Sequence, residues 1–173
     1  IEICEIKKID NAPAGIFNLY NKTTNFELAT ENNEALVLHT SGTTSRPKVV
    51  PLTNKNIFSS ATNISNSLQL SSQDHCYNIM PLFHIHGLIA VLSSSIHAGA
   101  SVYASSGFNA LKFLETANKE TITWYSGVPT MHQAILMRAK KKPKLAEELN
   151  LRFIRSSSAS LPPAVFDLSL IHI

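Results

Sequence analysis

Nine consecutive residues, Thr40-Ser41-Gly42-Thr43-Thr44-Ser45-Arg46-Pro47-Lys48, bring together five hydroxyl side chains, one glycine and two cations. That mixture suits a polyphosphate, whose oxygens need several donors and positive charge, while the glycine lets backbone N–H groups approach closely. It is not a Walker A loop, because no glycine precedes Lys48 and Gly42 stands six positions before it. The bland reading of the same string is a solvated turn. A second group, Pro81-Leu82-Phe83-His84-Ile85-His86-Gly87-Leu88, sets two histidines either side of Ile85. Their readings are satisfied core histidines, substrate-site residues or metal ligands. Zinc is the weakest of these, because Asp74, His75 and Cys76 lie on the far side of a predicted strand. A third group, Trp124-Tyr125-Ser126-Gly127-Val128-Pro129-Thr130, is either a plain helix start with Pro129 near the first helical position or a site loop offering Ser126. The fourth, Phe153-Ile154-Arg155-Ser156-Ser157-Ser158-Ala159-Ser160-Leu161-Pro162-Pro163, offers successive hydroxyls at Ser156, Ser157 and Ser158. A hydrolase serine is disfavoured, since no G-x-S-x-G elbow is present.

The elements that must hold these groups follow from periodicity. Residues 35–39 read as a buried strand and residues 40–48 as the polar loop after it. Thr53 or Asn54 caps a helix to about Leu68, with Ile57, Ala61, Ile64 and Leu68 on one face. Further strands are expected at 77–80, 101–104, 121–125 and 151–154. Between them fall an almost wholly apolar helix over 87–97, a helix from the Asn109 cap to about Lys119, and a helix that follows the 126–129 loop to about Lys140. A last helical stretch covers 162–167. Alternating strands and helices with crossover-length connections give an α/β fold, a mostly parallel sheet with helices on both faces. Open α/β sheets bind ligands beyond the carboxyl ends of their strands, and each polar group above follows a predicted strand.

Composition sets the outer limits. The 173 residues carry a formal net charge of +3, only 16% charged residues and 44% hydrophobic ones, enough for a core and far from a disordered composition. Five of the 15 basic residues lie in the run 138–144, read as a solvated helix end and turn, and without it the chain is slightly acidic. Nucleic acid is therefore excluded as an expected partner. Cys4 and Cys76 make neither a disulfide framework nor a metal pattern. The longest apolar stretch, 87–92, is far short of the roughly 20 residues of a membrane span, and no signal peptide is visible.

The string from Thr40 to Lys48 resembles the phosphate-binding signature of the adenylate-forming superfamily, which includes acyl-CoA synthetases, luciferases and nonribosomal adenylation domains. Ser45 and Val49 stand where that family usually has glycine. The version Ser45-Arg46-Pro47-Lys48, followed by Val50-Pro51-Leu52-Thr53, is similar to the oxalate-CoA ligase branch, as is Phe153-Ile154-Arg155-Ser156. The histidine group resembles the superfamily's aromatic-histidine motif, whose histidine lies against the acyl carboxylate and α-phosphate. That implies a catalytic role for His84, with His86 as the second candidate. The third group resembles the loop entering the acyl-pocket helix, and the fourth the loop that contacts acyl substrate and adenine-ribose. Ser157 stands where the oxalate branch shows cysteine and the wider family glycine.

The resemblance implies a ligase that uses Mg²⁺ and ATP to form an acyl-adenylate and then transfers the acyl group to coenzyme A. ATP would be held by Thr40, Ser41, Gly42, Thr43, Thr44, Ser45, Arg46 and Lys48. The small-molecule carboxylate would meet His84, His86, Ser126, Ser156, Ser157 and Ser158. Oxalate is the expected acid; the alternatives are a fatty-acid or 4-coumarate-type CoA ligase and a non-catalytic nucleotide- or partner-binding module. No residue is assigned to a protein metal site. The resemblance runs from about Ala35 to Asp167 and implies residues 1–167 to be part of a larger N-terminal AMP-binding domain, in a cytoplasmic or peroxisomal enzyme. Residues 168–173 match what one reading frame of a sequencing-library transposon end encodes and are expected not to be native. The family's Thr-Glu magnesium motif, ribose-binding aspartate, hinge and small C-terminal domain have no counterpart here. The chain by itself is therefore expected to lack ligase turnover.

Overall fold

The computed structural model describes residues 5–8, 17–20, 28–39 and 47–170. Two antiparallel pairs come first. Strands β1 (Glu5–Lys8) and β2 (Phe17–Tyr20) pair with Glu5 opposite Tyr20, and β3 (Glu34–His39) and β4 (Val49–Thr53) pair with His39 opposite Val49. The reading of 35–39 as a buried strand of the parallel sheet is thereby corrected. β3 pairs antiparallel with a strand that contains Pro51, and its burial alternates, Val37 being 48% exposed. An apolar run says that a strand forms, not that a second layer covers it. Val49 lies in extended β4, a backbone that suits its branched side chain.

Thr53 then caps helix α1 (Asn54–Leu68) as expected. The Asn56 N–H donates to Thr53 Oγ1 at 3.2 Å while the Thr53 N–H donates to Asn56 Oδ1 at 3.0 Å, a reciprocal box that satisfies two orphan donors. Gln69, left-handed at φ 51°, ends the helix.

The main sheet follows: β5 (His75–Asn78), β6 (Ser101–Ala104), β7 (Trp124–Gly127) and β8 (Phe153–Ser156), in the spatial order β6-β5-β7-β8 and all parallel. Both β7 and β8 begin later than the sequence reading placed them, so Ser126 and Ser156 are strand residues rather than loop residues. The reason is local. Thr121 takes φ 49° and bonds back to Asn118, completing the helix that precedes it, and only from Trp124 does the chain register against Cys76 of β5.

Helix α2 connects β5 to β6. It starts at His86, one residue before the expected Gly87, and its first part, His86–Ser93, is π-wound, with Ser94–His97 continuing as α-helix. The serines close the wide turns: Ser93 Oγ donates to the Leu88 carbonyl at 2.8 Å and Ser95 Oγ to that of Val91 at 2.6 Å. Gly87 sits where no side chain fits, because a Cβ there would lie 2.5 Å from the Pro81 carbonyl oxygen and 2.9 Å from that of Met80. Gly87→Ala is expected to destabilise the fold by about 1–3 kcal/mol, measured by urea unfolding, as overpacking against backbone does. A loss below about 0.5 kcal/mol would mean the turn yields freely.

Helix α3 (Phe113–Lys119) starts later than expected, because Asn109 caps a turn instead, its Oδ1 accepting from the N–H of Leu111 at 2.9 Å. Helices α4 (Pro129–Lys141) and α5 (Pro143–Glu147) lead to β8, and α6 (Pro163–Leu170) follows it. The pleat sorts side chains onto two faces. Tyr77, Tyr125 and Ile154 pack with Phe113, Leu114, Ile135 and Ala139 of α3 and α4. Cys76, Trp124 and Phe153 pack with Val91 of α2 and Leu68 of α1. Helices thus cover both faces of a parallel sheet, the α/β fold read from the alternation.

Candidate active site

Register carries polar residues onto the second of those faces. Two positions beyond Cys76, Trp124 and Phe153 come Asn78, Ser126 and Arg155, in register as Asn78 opposite Ser126 and Ser126 opposite Arg155. The face that is apolar in mid-sheet becomes a polar row at the carboxyl ends of three adjacent parallel strands. Asn78 and Ser126 are buried. Asn78 Nδ2 donates to the Gly87 carbonyl at 3.3 Å, and its Oδ1 accepts from the Met80 N–H at 3.1 Å, tying the entry of α2 to the strand.

That tie places His86, buried at the first turn of α2, over the row. Its Nε2 lies 2.7 Å from Ser126 Oγ and its Nδ1 lies 3.3 Å from Ser158 Oγ. Arg155 Nη1 approaches Nε2 at 3.3 Å and Ser126 Oγ at 3.1 Å. A guanidinium only donates, so Nε2 must accept, which puts the imidazole proton on Nδ1 toward Ser158. Burial, and then the positive charge of Arg155, push the His86 pKa down to about 4. The ring is therefore neutral at physiological pH, and burial also lowers the pKa of Arg155 itself.

The remaining candidates are spread around this centre. Ser158 holds φ 74°, a left-handed conformation that costs a non-glycine residue about 1–3 kcal/mol and brings its hydroxyl to His86. Ser156 Oγ is buried and makes no hydrogen bond among the described residues, and Ser157 donates its N–H to the Gly127 carbonyl at 3.1 Å. His84 is exposed, on the turn before α2, with its ring 5.4 Å from that of Phe83. With Phe83 and Ile85 it lines a cleft of about 680 Å³ whose other wall is Leu38, His39, Val50 and Leu52. That wall belongs to β3 and β4, which stand either side of residues 40–48 in the sequence. Thr40, Ser41, Gly42, Thr43, Thr44, Ser45 and Arg46 lie outside the described residues, and Lys48 is exposed just before β4. A separate cavity of about 500 Å³, apolar for the most part, is lined by Ile79, Met80, Ala104, Phe108 and Met131.

The structure thus brings together His86, Ser126 and Ser158, and places His84 apart at the cleft. The sequence alone assigned no role to Asn78 or Arg155; the one was a carboxamide inside a predicted strand, the other a cation just past the end of one. No group of three His, Cys, Asp or Glu among the described residues could hold a metal ion. Among the described residues, too, no helix is long and apolar enough to cross a membrane.

A neutral histidine, a cation and hydroxyls at the carboxyl ends of parallel strands suit an anionic ligand, and comparison with known proteins specifies the kind. The profile of the family described as AMP-binding enzyme matches residues 5–168. The chain belongs to the AMP-binding enzyme family. Among its relatives, the oxalate-CoA ligase of Arabidopsis thaliana is 51% identical over 133 residues, covering 76% of this chain and 26% of that protein. The oxalate-CoA ligase of Saccharomyces cerevisiae is 44% identical over 138 residues, covering 80% and 25%. This AMP-binding segment therefore spans about a quarter of the length of the curated relatives it matches. A solved malonyl-CoA ligase, in a ternary product complex with methylmalonyl-CoA and AMP, superposes with a TM-score of 0.74 at 29% identity, covering 87% of this chain and 33% of that one.

Proposed function

We propose that this AMP-binding segment is part of the larger N-terminal domain, residues 1–167, of an ATP-dependent carboxylate-CoA ligase whose acid is oxalate. The observation that carries the reading is the hydrogen-bonded cluster of His86, Ser126 and Ser158 at the carboxyl ends of β7 and β8, where parallel sheets bind their ligands. The similarity to two oxalate-CoA ligases supports the choice of acid. In the first step a carboxylate oxygen attacks the α-phosphorus of ATP, the bond to the β-phosphate oxygen breaks, and pyrophosphate leaves. In the second, the coenzyme A sulfur attacks the acyl carbon, AMP leaves, and the thiol proton passes to solvent.

The residues divide by position. Thr40, Ser41, Gly42, Thr43, Thr44, Ser45, Arg46 and Lys48 would neutralise and bind the phosphates, and His84, across the cleft from the strands either side of them in the sequence, would meet the α-phosphate as it gains charge. His86, Ser126, Ser156, Ser157 and Ser158 would surround the acid. The described residues offer no cluster to hold Mg²⁺, so no step is assigned to it beyond its arrival with the triphosphate.

The test is a substrate panel on the full-length protein that carries this segment, with ATP and coenzyme A, following pyrophosphate release and thioester formation. Oxalate is expected to give the highest kcat/KM. The 500 Å³ apolar cavity beside β5 and β6 is the one observation that favours a longer acid. Turnover of hexanoate or 4-coumarate with oxalate inert would establish that second reading and sink the first.

A further inference from the structure

We infer that Arg155 is the specificity-determining residue of this site, its guanidinium reading a second carboxylate on the acid while the first carboxylate reacts. The inference rests on the ligase reading above and adds to it the group that separates diacids from monoacids. Arg155 lies within β8, half-buried, opposite Ser126 in register. Among the described residues no carboxylate lies within ion-pair distance of it, whereas the more exposed Arg152, just before the same strand, is paired to Asp74 at 2.9 Å. The two arginines, one just before β8 and one near its carboxyl end, are thus treated oppositely.

A half-buried guanidinium set against neutral groups has lost hydration without gaining a counter-ion, an arrangement that favours an incoming anion. Among the described residues only its Nη1 is engaged, with His86 Nε2 and Ser126 Oγ. The other donors of a planar fork are left for bidentate contact with a carboxylate. His86 and Ser126 act here as positioning residues. They aim the guanidinium by accepting from it, and since the neutral imidazole carries no charge it neither repels the cation nor competes for the anion. Ser158, whose hydroxyl meets His86 at Nδ1, adds a further hydroxyl to the site. A monoacid of the same length leaves the guanidinium unpaired, so the site rejects it by the cost it leaves behind.

The experiment measures ATP-pyrophosphate exchange by the full-length protein with oxalate and with acetate, for the wild type, Arg155→Met and Arg155→Lys. Arg155→Met is expected to lower the ratio of kcat/KM for oxalate over acetate about 100-fold, chiefly through the KM for oxalate, as removing one partner of a desolvated charge pair does. Arg155→Lys, which keeps the charge but not the fork, is expected to fall between. It also preserves the test should the methionine variant not fold. A wild type that prefers oxalate, with variants whose ratio is unchanged or whose two acids lose activity equally, overturns the role of Arg155 alone. A wild type active on acetate and inert on oxalate overturns the oxalate reading along with it.

Discussion

Asp74→Ala is expected to destabilise the chain by about 3 kcal/mol, the largest stability loss of any single polar substitution outside the site. Asp74 is 3% exposed and closes the amino end of β5. Its Oδ2 accepts from Arg152 Nη2 at 2.9 Å and from the Ser71 N–H at 2.9 Å, and its Oδ1 from Arg152 Nε at 3.0 Å and Thr123 Oγ1 at 3.1 Å. Its own carbonyl receives the Ser101 N–H, so this residue ties together the starts of β5, β6, β7 and β8. Removing the carboxylate strips these four donors, and Ser71 Oγ at 3.3 Å, of their acceptor. The Arg152 side chain is 42% exposed and can rehydrate, which keeps the loss near the low end of the 3–5 kcal/mol typical of broken buried pairs. Burial opposes ionisation of Asp74, but its donors, Arg152 foremost, outweigh it and hold the carboxyl below its ordinary value. A pKa lower folded than unfolded gives stability that is complete above about pH 4 and is lost as pH falls through the lowered value. Urea unfolding followed by the fluorescence of Trp124, the single tryptophan, reads both effects. A loss under 1 kcal/mol, or an acid dependence unchanged in Asp74→Asn, would show that the cluster is ornamental.

The same aspartate marks what was legible in the sequence. The string already set Asp74, His75 and Cys76 on the far side of a predicted strand from the histidine group, and the fold puts them at the end of the sheet opposite the site. The helix from Asn54 to Leu68 and the strand from Ser101 to Ala104 were readable because cap and periodicity are local signals. The partner of β3 was not, since Pro51 disguises β4 and pairing across a loop is not a local property. Nor was the π-winding of His86–Ser93, which depends on serine hydroxyls closing onto backbone carbonyls. Within the site, histidine and hydroxyl types were visible as types. That His86 should face Ser126 and Arg155 follows from a register set by Trp124 against Cys76, and the reading that began β7 at Thr121 hid it.

His86→Ala is expected to lower kcat/KM for the acid in the full-length protein by about 100-fold or more, the scale of losing one preorganised polar contact at a reacting centre. The substitution removes one of the two acceptors of Arg155, the closest partner of Ser126 and the partner of Ser158 in one step. Its effect should therefore exceed that of Ser126→Ala, which leaves the ring in contact with Arg155. A purely structural His86 would instead lower stability and leave the per-molecule activity of folded protein intact. The ring also carries a signature of its own. Burial first, then Arg155, His132 and His84, hold its pKa near 4, against 6.5 for an unperturbed histidine. The unfolded chain thus binds more protons than the folded one between about pH 4 and 6.5, so His86 makes stability rise with pH across that window. Replacing Arg155 with methionine removes one of those causes while burial remains. The His86 pKa, followed by NMR titration of the imidazole, should then move up part of the way toward 6.5. An unmoved pKa would mean that the guanidinium is not held against the ring, and the site as described would fail at its central contact.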